Sequence, residues 1–243
     1  LDEKEEAIEL WRAVVTAQPE REEGWEALEA LLRKSKRWPD LAEIYAARAQ
    51  REAADEARLQ WLKKLGDLQA ERLGDEDAAA ETWRAVLGLN PGDAHAESYL
   101  RELYLRRQDW DSLEALYGER EDWEGFIRLL GGSAAQSEDV ATKVGLFRRM
   151  ARVCETSLGN EEAAVECWEQ IIEQDPDNVE AATTLAPHYE AHEAWPALVG
   201  VTEALLRNEP EAPVELMVRL ATVHEVHLED PATAYGWYAR ALQ

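Results

Sequence analysis

The side chains whose type and spacing could support chemistry are four histidines and two cysteines. His188 and His192 stand four apart, and His224 and His227 three apart. Each pair therefore shares one face if its segment is helical. Converging, the four imidazoles would form a transition-metal site or a proton switch. No cysteine or positioned carboxylate completes a ligand set, and the competing reading is separate surface or packing histidines. Cys154 and Cys167 are too few for a disulfide framework and read as buried small side chains. Gly131-Gly132 lacks the spacing and the following Lys of a phosphate loop, and neither G-x-S-x-G nor H-E-x-x-H occurs. No catalytic constellation, metal or cofactor is expected.

The elements that would position these residues emerge when the chain is superposed on itself. Stretches starting at Leu1, Leu73, Leu158 and Leu228 align without gaps. Ala recurs at Ala7, Ala79, Ala164 and Ala234, and an aromatic four residues later at Trp11, Trp83, Trp168 and Tyr238. Pro19, Pro91 and Pro176 close the first three. A second set lies between them, with Leu28, Leu100 and Leu185 coinciding, as do Trp38, Trp110 and Trp195. Leu28, Leu31 and Leu32, then Leu41, Ile44 and Tyr45, recur at three and four residues, one apolar stripe per helix. Composition agrees: 46% hydrophobic, two Phe, and helix formers throughout. The expectation is an all-α chain of about 14 helices in double units of four helices. The double units start near residues 1, 73, 158 and 228.

This pattern resembles the tetratricopeptide repeat. Trp25, Leu28 and Leu32, Leu100 with Tyr104, and Leu185 with Tyr189 match its first helix. Ala79, Trp83, Val86 and Pro91 match its second. The signature Gly survives only at Gly66, its place elsewhere being taken by Glu29, Arg101 or Ala186. Trp before each second helix is similar to the half-a-TPR variant. The resemblance implies one right-handed α-solenoid of stacked antiparallel helical hairpins over residues 1–243. It also implies that first helices line a concave face that binds a peptide or helix. Its groove positions fall on Glu23, Glu26, Ala30, Arg33 and Lys34, then Gln60, Lys63 and Asp67. Further along they are His95, Ser98, Glu102 and Arg106, then Glu180, Thr183 and Glu190. The Asn-based clamp that some members close on a chaperone C-terminus is absent, since Asn90, Asn160, Asn178 and Asn208 all lie near turns.

Two departures interrupt the period. The second double unit is 13 residues longer than the first, read as a short helical insertion at 118–130 followed by a flexible loop at 131–139. Pro187 falls in mid-helix, where it should kink the helix or remove a hydrogen bond.

The net charge of −25 disfavours direct nucleic-acid binding and anionic membranes, and favours a basic protein or peptide at long range. No apolar run of about 18 residues is present to span a membrane. The expected function is a non-catalytic protein-interaction scaffold. The alternatives are a regulatory region of a larger multidomain enzyme, or an RNA-processing assembly scaffold of half-a-TPR type. Both ends look cut from something longer, with further repeats or domains expected beyond them. The cytoplasm is the expected compartment, and a periplasmic site also fits.

Overall fold

The structure is a computed structural model and describes residues 2–209 and 213–242. Leu1, the start of the first double unit, lies outside the described residues, as does Gln243. The fold is all-α, with fourteen α-helices and no strand among the described residues. They form two compact units, 1–120 and 121–243, where the sequence pattern suggested one run.

The first unit contains α1 (Asp2–Ala17), α2 (Glu22–Lys34), α3 (Trp38–Arg51), α4 (Asp55–Leu68), α5 (Glu76–Leu89), α6 (Ala94–Arg107) and α7 (Trp110–Gly118). The second contains α8 (Trp123–Gln136), α9 (Val140–Val153), α10 (Glu161–Gln174), α11 (Val179–Ala191), α12 (Trp195–Asn208), α13 (Val214–Val226) and α14 (Pro231–Ala241). Each helix packs on its sequence neighbours within its unit, as stacked hairpins require. The first helices are α2, α4, α6, α9, α11 and α13.

Short turns make the hairpins. Lys36, Gln108, Glu121 and Glu193 are left-handed, with φ of 54–57°, and each stands two residues before a tryptophan. The amides of Arg37, Asp109 and Ala194 bond back to Leu32, Tyr104 and Tyr189, the six-to-one closure that ends a helix in a left-handed residue. Trp38, Trp110, Trp123 and Trp195 are then the first residues of the next helices. At Asp109 and Asp122 the intervening residue caps the new helix through its side chain.

The ends of α4 and α9 share another device. Each continues into one π-helical turn, Gln69–Leu73 and Cys154–Leu158, closed by a left-handed glycine, Gly74 or Gly159. The equivalent position after α13 is Glu229, also left-handed at φ 51°.

The insertion differs from the sequence reading. Residues 131–136 belong to α8, which runs fourteen residues from Trp123, and only Ser137–Asp139 connect it to α9. The expected flexible loop at 131–139 is thus mostly helix, and the insertion is a full helix rather than a short one ending at 130. Burial explains this: Phe126, Leu130 and Ala134 are all within 1% of full burial, so packing overrides two glycines that each cost about 1 kcal/mol in a helix. The shortened element is α7, which ends at Gly118 after nine residues. Helix α11 runs unbroken through Pro187, which donates no amide hydrogen bond.

Candidate partner-binding face

In the first unit, charge ties one first helix to the next. Lys64 of α4 reaches back to Glu29 of α2 at 3.7 Å. Lys63 reaches forward to Asp93, the residue capping α6, and Asp67 meets His95 of α6 at 3.2 Å. Burial pushes the Asp93 carboxyl up, but hydrogen bonds from Lys63 and the Ala96 amide outweigh it and hold it below the ordinary carboxylate range. The second unit repeats the scheme. Arg148 of α9 lies 2.6 Å from Glu180 of α11, and Glu190 of α11 lies 2.8 Å from Arg219 of α13. In these forward ties the C-terminal half of one first helix meets the N-terminal half of the next.

Several predicted contact residues are therefore engaged within the protein. Glu180, Glu190, Lys63, Asp67 and His95 form the ties themselves. Ser98 donates to Glu102 at 3.2 Å, and Thr183 donates to the Val179 carbonyl at 2.7 Å. Arg106 turns away from the first helices and joins Arg107 on Glu76 at the start of α5. Arg33 donates to the Tyr45 hydroxyl, which donates to Glu29, both at 2.7 Å. The Tyr45 hydrogen bond raises the Arg33 guanidinium, and burial pushes Tyr45 up to about 12. Glu23 pairs with Arg21 at 3.2 Å, and Glu26 and Lys34 are exposed.

Arg48, absent from the sequence reading, organises this end of the first unit. Only 8% of its side chain is exposed, held between the rings of Trp25 at 5.3 Å and Trp61 at 4.7 Å, with two hydrogen bonds to Glu22. Lys64 covers the same Trp61 ring at 4.2 Å. Beside it lies a cavity of about 400 Å³, lined by Arg33, Trp38, Tyr45, Lys64, Asp67 and Arg72 among others, which could admit a partner's side chain. The only sequence signal for Arg48 is a cation inside a helix between two tryptophan-bearing neighbours.

The four histidines do not converge. His188 stacks on His192 at 4.1 Å, while His227 stacks on Trp195 at 3.6 Å and His224 faces Asp230 at 3.9 Å. Each pair is taken up by its own neighbours, and no group of three or more metal-ligating side chains forms among the described residues. Cys154 and Cys167 are buried and free, and burial raises both thiols, Cys167 to about 12. Such thiols are poor nucleophiles near neutral pH.

No family model and no curated protein matches the chain. Among solved structures it is similar to the TPR2AB domain of yeast Sti1 in its Hsp90 peptide complex, at 13% identity and a TM-score of 0.33. That alignment covers 99% of this chain and 92% of that one. MamA from Desulfovibrio magneticus aligns at 16% identity and a TM-score of 0.27, over 83% and 93% of the two chains. A Naa15/Naa10 structure bound to HypK aligns at 16% and 0.32, over 97% and 39%. At these scores the likenesses carry no detail of site or partner. The chain's own periodicity and its fourteen helices characterise it. It is an all-α protein of helical repeats among its described residues, and its sequence pattern resembles the tetratricopeptide repeat. No described helix is long and apolar enough to cross a membrane.

Proposed function

We propose that this TPR-like chain is a non-catalytic scaffold whose first-helix face binds a protein or peptide bearing lysine and arginine. The observation that carries the reading is the set of forward ties Lys63–Asp93, Asp67–His95, Arg148–Glu180 and Glu190–Arg219. Within each unit they set successive first helices side by side, and Glu23, Glu26 and Glu102 are exposed on first helices of the first unit. Exposed carboxylates on the first helices suit a basic segment and steer its approach.

The test uses two labelled 15-residue peptides, one with five lysines and its glutamate counterpart. The lysine peptide should bind the 243-residue chain at low salt and weaken about tenfold at threefold higher salt. The combined change Glu23→Lys, Glu26→Lys and Glu102→Lys should abolish that binding. Equal binding of both peptides, or binding indifferent to the three reversals, would overturn the reading.

A further inference from the structure

Three copies of one helical pair occur in the chain: α4–α5, α9–α10 and α13–α14, anchored on Leu73, Leu158 and Leu228. Residues equally far from their anchors are counterparts. Two such places, four residues before the anchor and nine after it, lie on opposite sides of the connecting turn. In the first copy they hold Gln69 and Thr82, and the Thr82 hydroxyl donates to Gln69 at 2.7 Å. In the third they hold His224 and Trp237. In the second they hold Cys154 and Cys167, the only cysteines of the chain.

Contacts around the two sulfurs bring them together. Gln69 and Thr82 show that side chains at these places touch across the pair. The residues that follow the cysteines, Glu155 and Trp168, are bonded to each other at 2.9 Å. The thiols share a hydrogen bond as well. Burial raises both, and that bond lowers Cys154 against the rise while adding to the rise of Cys167. Cys167 is thus the donor and Cys154 the acceptor.

Packing alone does not account for the pair. Alanine fills the small buried places on the same two helices, as at Ala151 and Ala164, 0% and 3% exposed. Both cysteines of a 243-residue chain instead stand at one facing pair of positions, where their sulfurs can react with each other. Cys154 is 1% exposed, but it begins the π-helical turn, and every residue from Glu155 to Asn160 is exposed. Local opening of that turn bares Cys154 while α10 stays in place. A gap of this kind admits a hydroperoxide more readily than a bulky disulfide.

We infer that Cys154 and Cys167 are an oxidation site, at which hydrogen peroxide joins them in a disulfide that staples the end of α9 to α10. Cys154, once deprotonated, attacks one peroxide oxygen. The O–O bond breaks, and hydroxide leaves and takes up the Cys154 proton as water, giving a sulfenic acid. The Cys167 sulfur then bonds to the Cys154 sulfur, the S–O bond breaks, and hydroxide leaves with the Cys167 proton as a second water. Both sulfurs are oxidised and the peroxide is reduced. Burial keeps the thiols protonated near neutral pH, so the reaction is slow there and quickens as pH rises. Gln69 and Thr82 have no such chemistry, and the staple belongs to the second unit. This site is separate from the first-helix face and goes beyond the scaffold reading above.

The experiment treats the reduced 243-residue chain with millimolar hydrogen peroxide at neutral and mildly alkaline pH. The chain is then unfolded, alkylated and digested without reductant for mass spectrometry. It should have lost two hydrogens, take up no alkyl group, and yield one linked peptide pair, Cys154 with Cys167, faster at the higher pH. Reductant should restore both thiols. The linked chain should melt about 5 °C higher, because the bond closes a short loop in the unfolded state. Cys154→Ala and Cys167→Ala should show no such rise after the same treatment, which separates the link from oxidation elsewhere. With Cys167→Ala the sulfenic acid should persist on Cys154 and be trapped by dimedone. Two alkylatable thiols after peroxide at both pH values would overturn the proposal, as would sulfinic acid at either cysteine in place of the link. A disulfide between two chains would overturn it too.

Discussion

The two units build one repeat with different chemistry. Residues 1–120 hold 18 basic and 28 acidic side chains, and residues 121–243 hold 8 and 23. The first unit spends its cations internally: Arg48 lies between two tryptophans, Lys64 covers one of them, and Arg84 donates to Tyr104. The second places apolar side chains or histidine rings in comparable roles, with Trp168, Ile171, Leu185 and Leu198 in one core and His227 on Trp195. Repeat geometry thus constrains where helices lie more tightly than what fills the space between them. A position that is cationic in one copy can be apolar in another, and that freedom is what leaves Val218 where Lys63 and Arg148 stand.

The largest expected effect breaks the first unit at its cation. Arg48→Ala removes two ring contacts and the aliphatic stem that packs between them, at a cost of about 3 kcal/mol. Arg219→Ala in the second unit removes one partly exposed ion pair and should cost under about 1 kcal/mol. Urea denaturation of the two variants measures the contrast. Equal losses would mean that the column around Arg48 is not what stabilises the first unit.

A smaller effect concerns one small residue. Gly66 occupies the position of Ala151 and Ala221 in the other copies, and both alanines are fully buried. A Cβ at Gly66 would lie 2.6 Å from the Trp83 ring, closer than real contacts allow. Gly66→Ala should therefore cost about 2 kcal/mol by overpacking, despite alanine's better helix propensity. Ala151→Gly should cost about 1–2 kcal/mol through backbone entropy and the loss of one buried methyl group. A stabilised Gly66→Ala protein would show that Trp83 can move aside.

The paired tryptophans differ again in their polar edge. Trp168 donates its indole N–H to Glu155 at 2.9 Å, whereas the buried N–H of Trp83 has no acceptor, Ala70 standing at the equivalent of Glu155. Glu155→Ala should destabilise the second unit by about 1 kcal/mol. A thermal midpoint unchanged within error would show that water replaces the carboxylate.

Much of this architecture could be read from residue order. The alignment of Trp38, Trp110 and Trp195 located three second helices because the left-handed residue that closes each preceding helix leaves one geometry for the turn into the next. Gly66 was visible as the surviving small residue, and the structure supplies its reason in Trp83. Helix α8 was misread past Leu130 because glycine and serine signal a loop locally, while burial of Ala134 is a tertiary effect. Helical register left the four histidines open between a convergent site and separate packing positions, and ring orientation, invisible in the sequence, sets them against their own neighbours. The candidate binding positions fall on first helices, but spacing cannot tell a free carboxylate from one already tied to a neighbouring helix, as Glu180 and Glu190 are. Arg48 lay beyond sequence reasoning for a related reason: charge in a repeat reads as surface.

The smallest expected effect separates the units by pH. Helix α6 is capped by Asp93, and its counterpart α11 by Asn178; each accepts the amide three residues on, Ala96 or Ala181. The Asp93 carboxyl is held below its ordinary value of 3.8. A carboxyl depressed on folding stabilises the native state above its unfolded value and loses that contribution as pH falls through the folded one. Asn178 does not titrate. Acidification from pH 5 to below 3.8 should therefore weaken protection of the Ala96 amide before that of Ala181, by under about 1 kcal/mol. Hydrogen exchange at the two amides measures this directly. Asp93→Asn should give the first unit the acid response of the second at this cap, while freeing Lys63 from its partner on α6. If Ala96 still loses protection first in that variant, the acid sensitivity lies in another carboxylate of the first unit, with Asp109, also depressed by its bonds to Ser112, the next to replace.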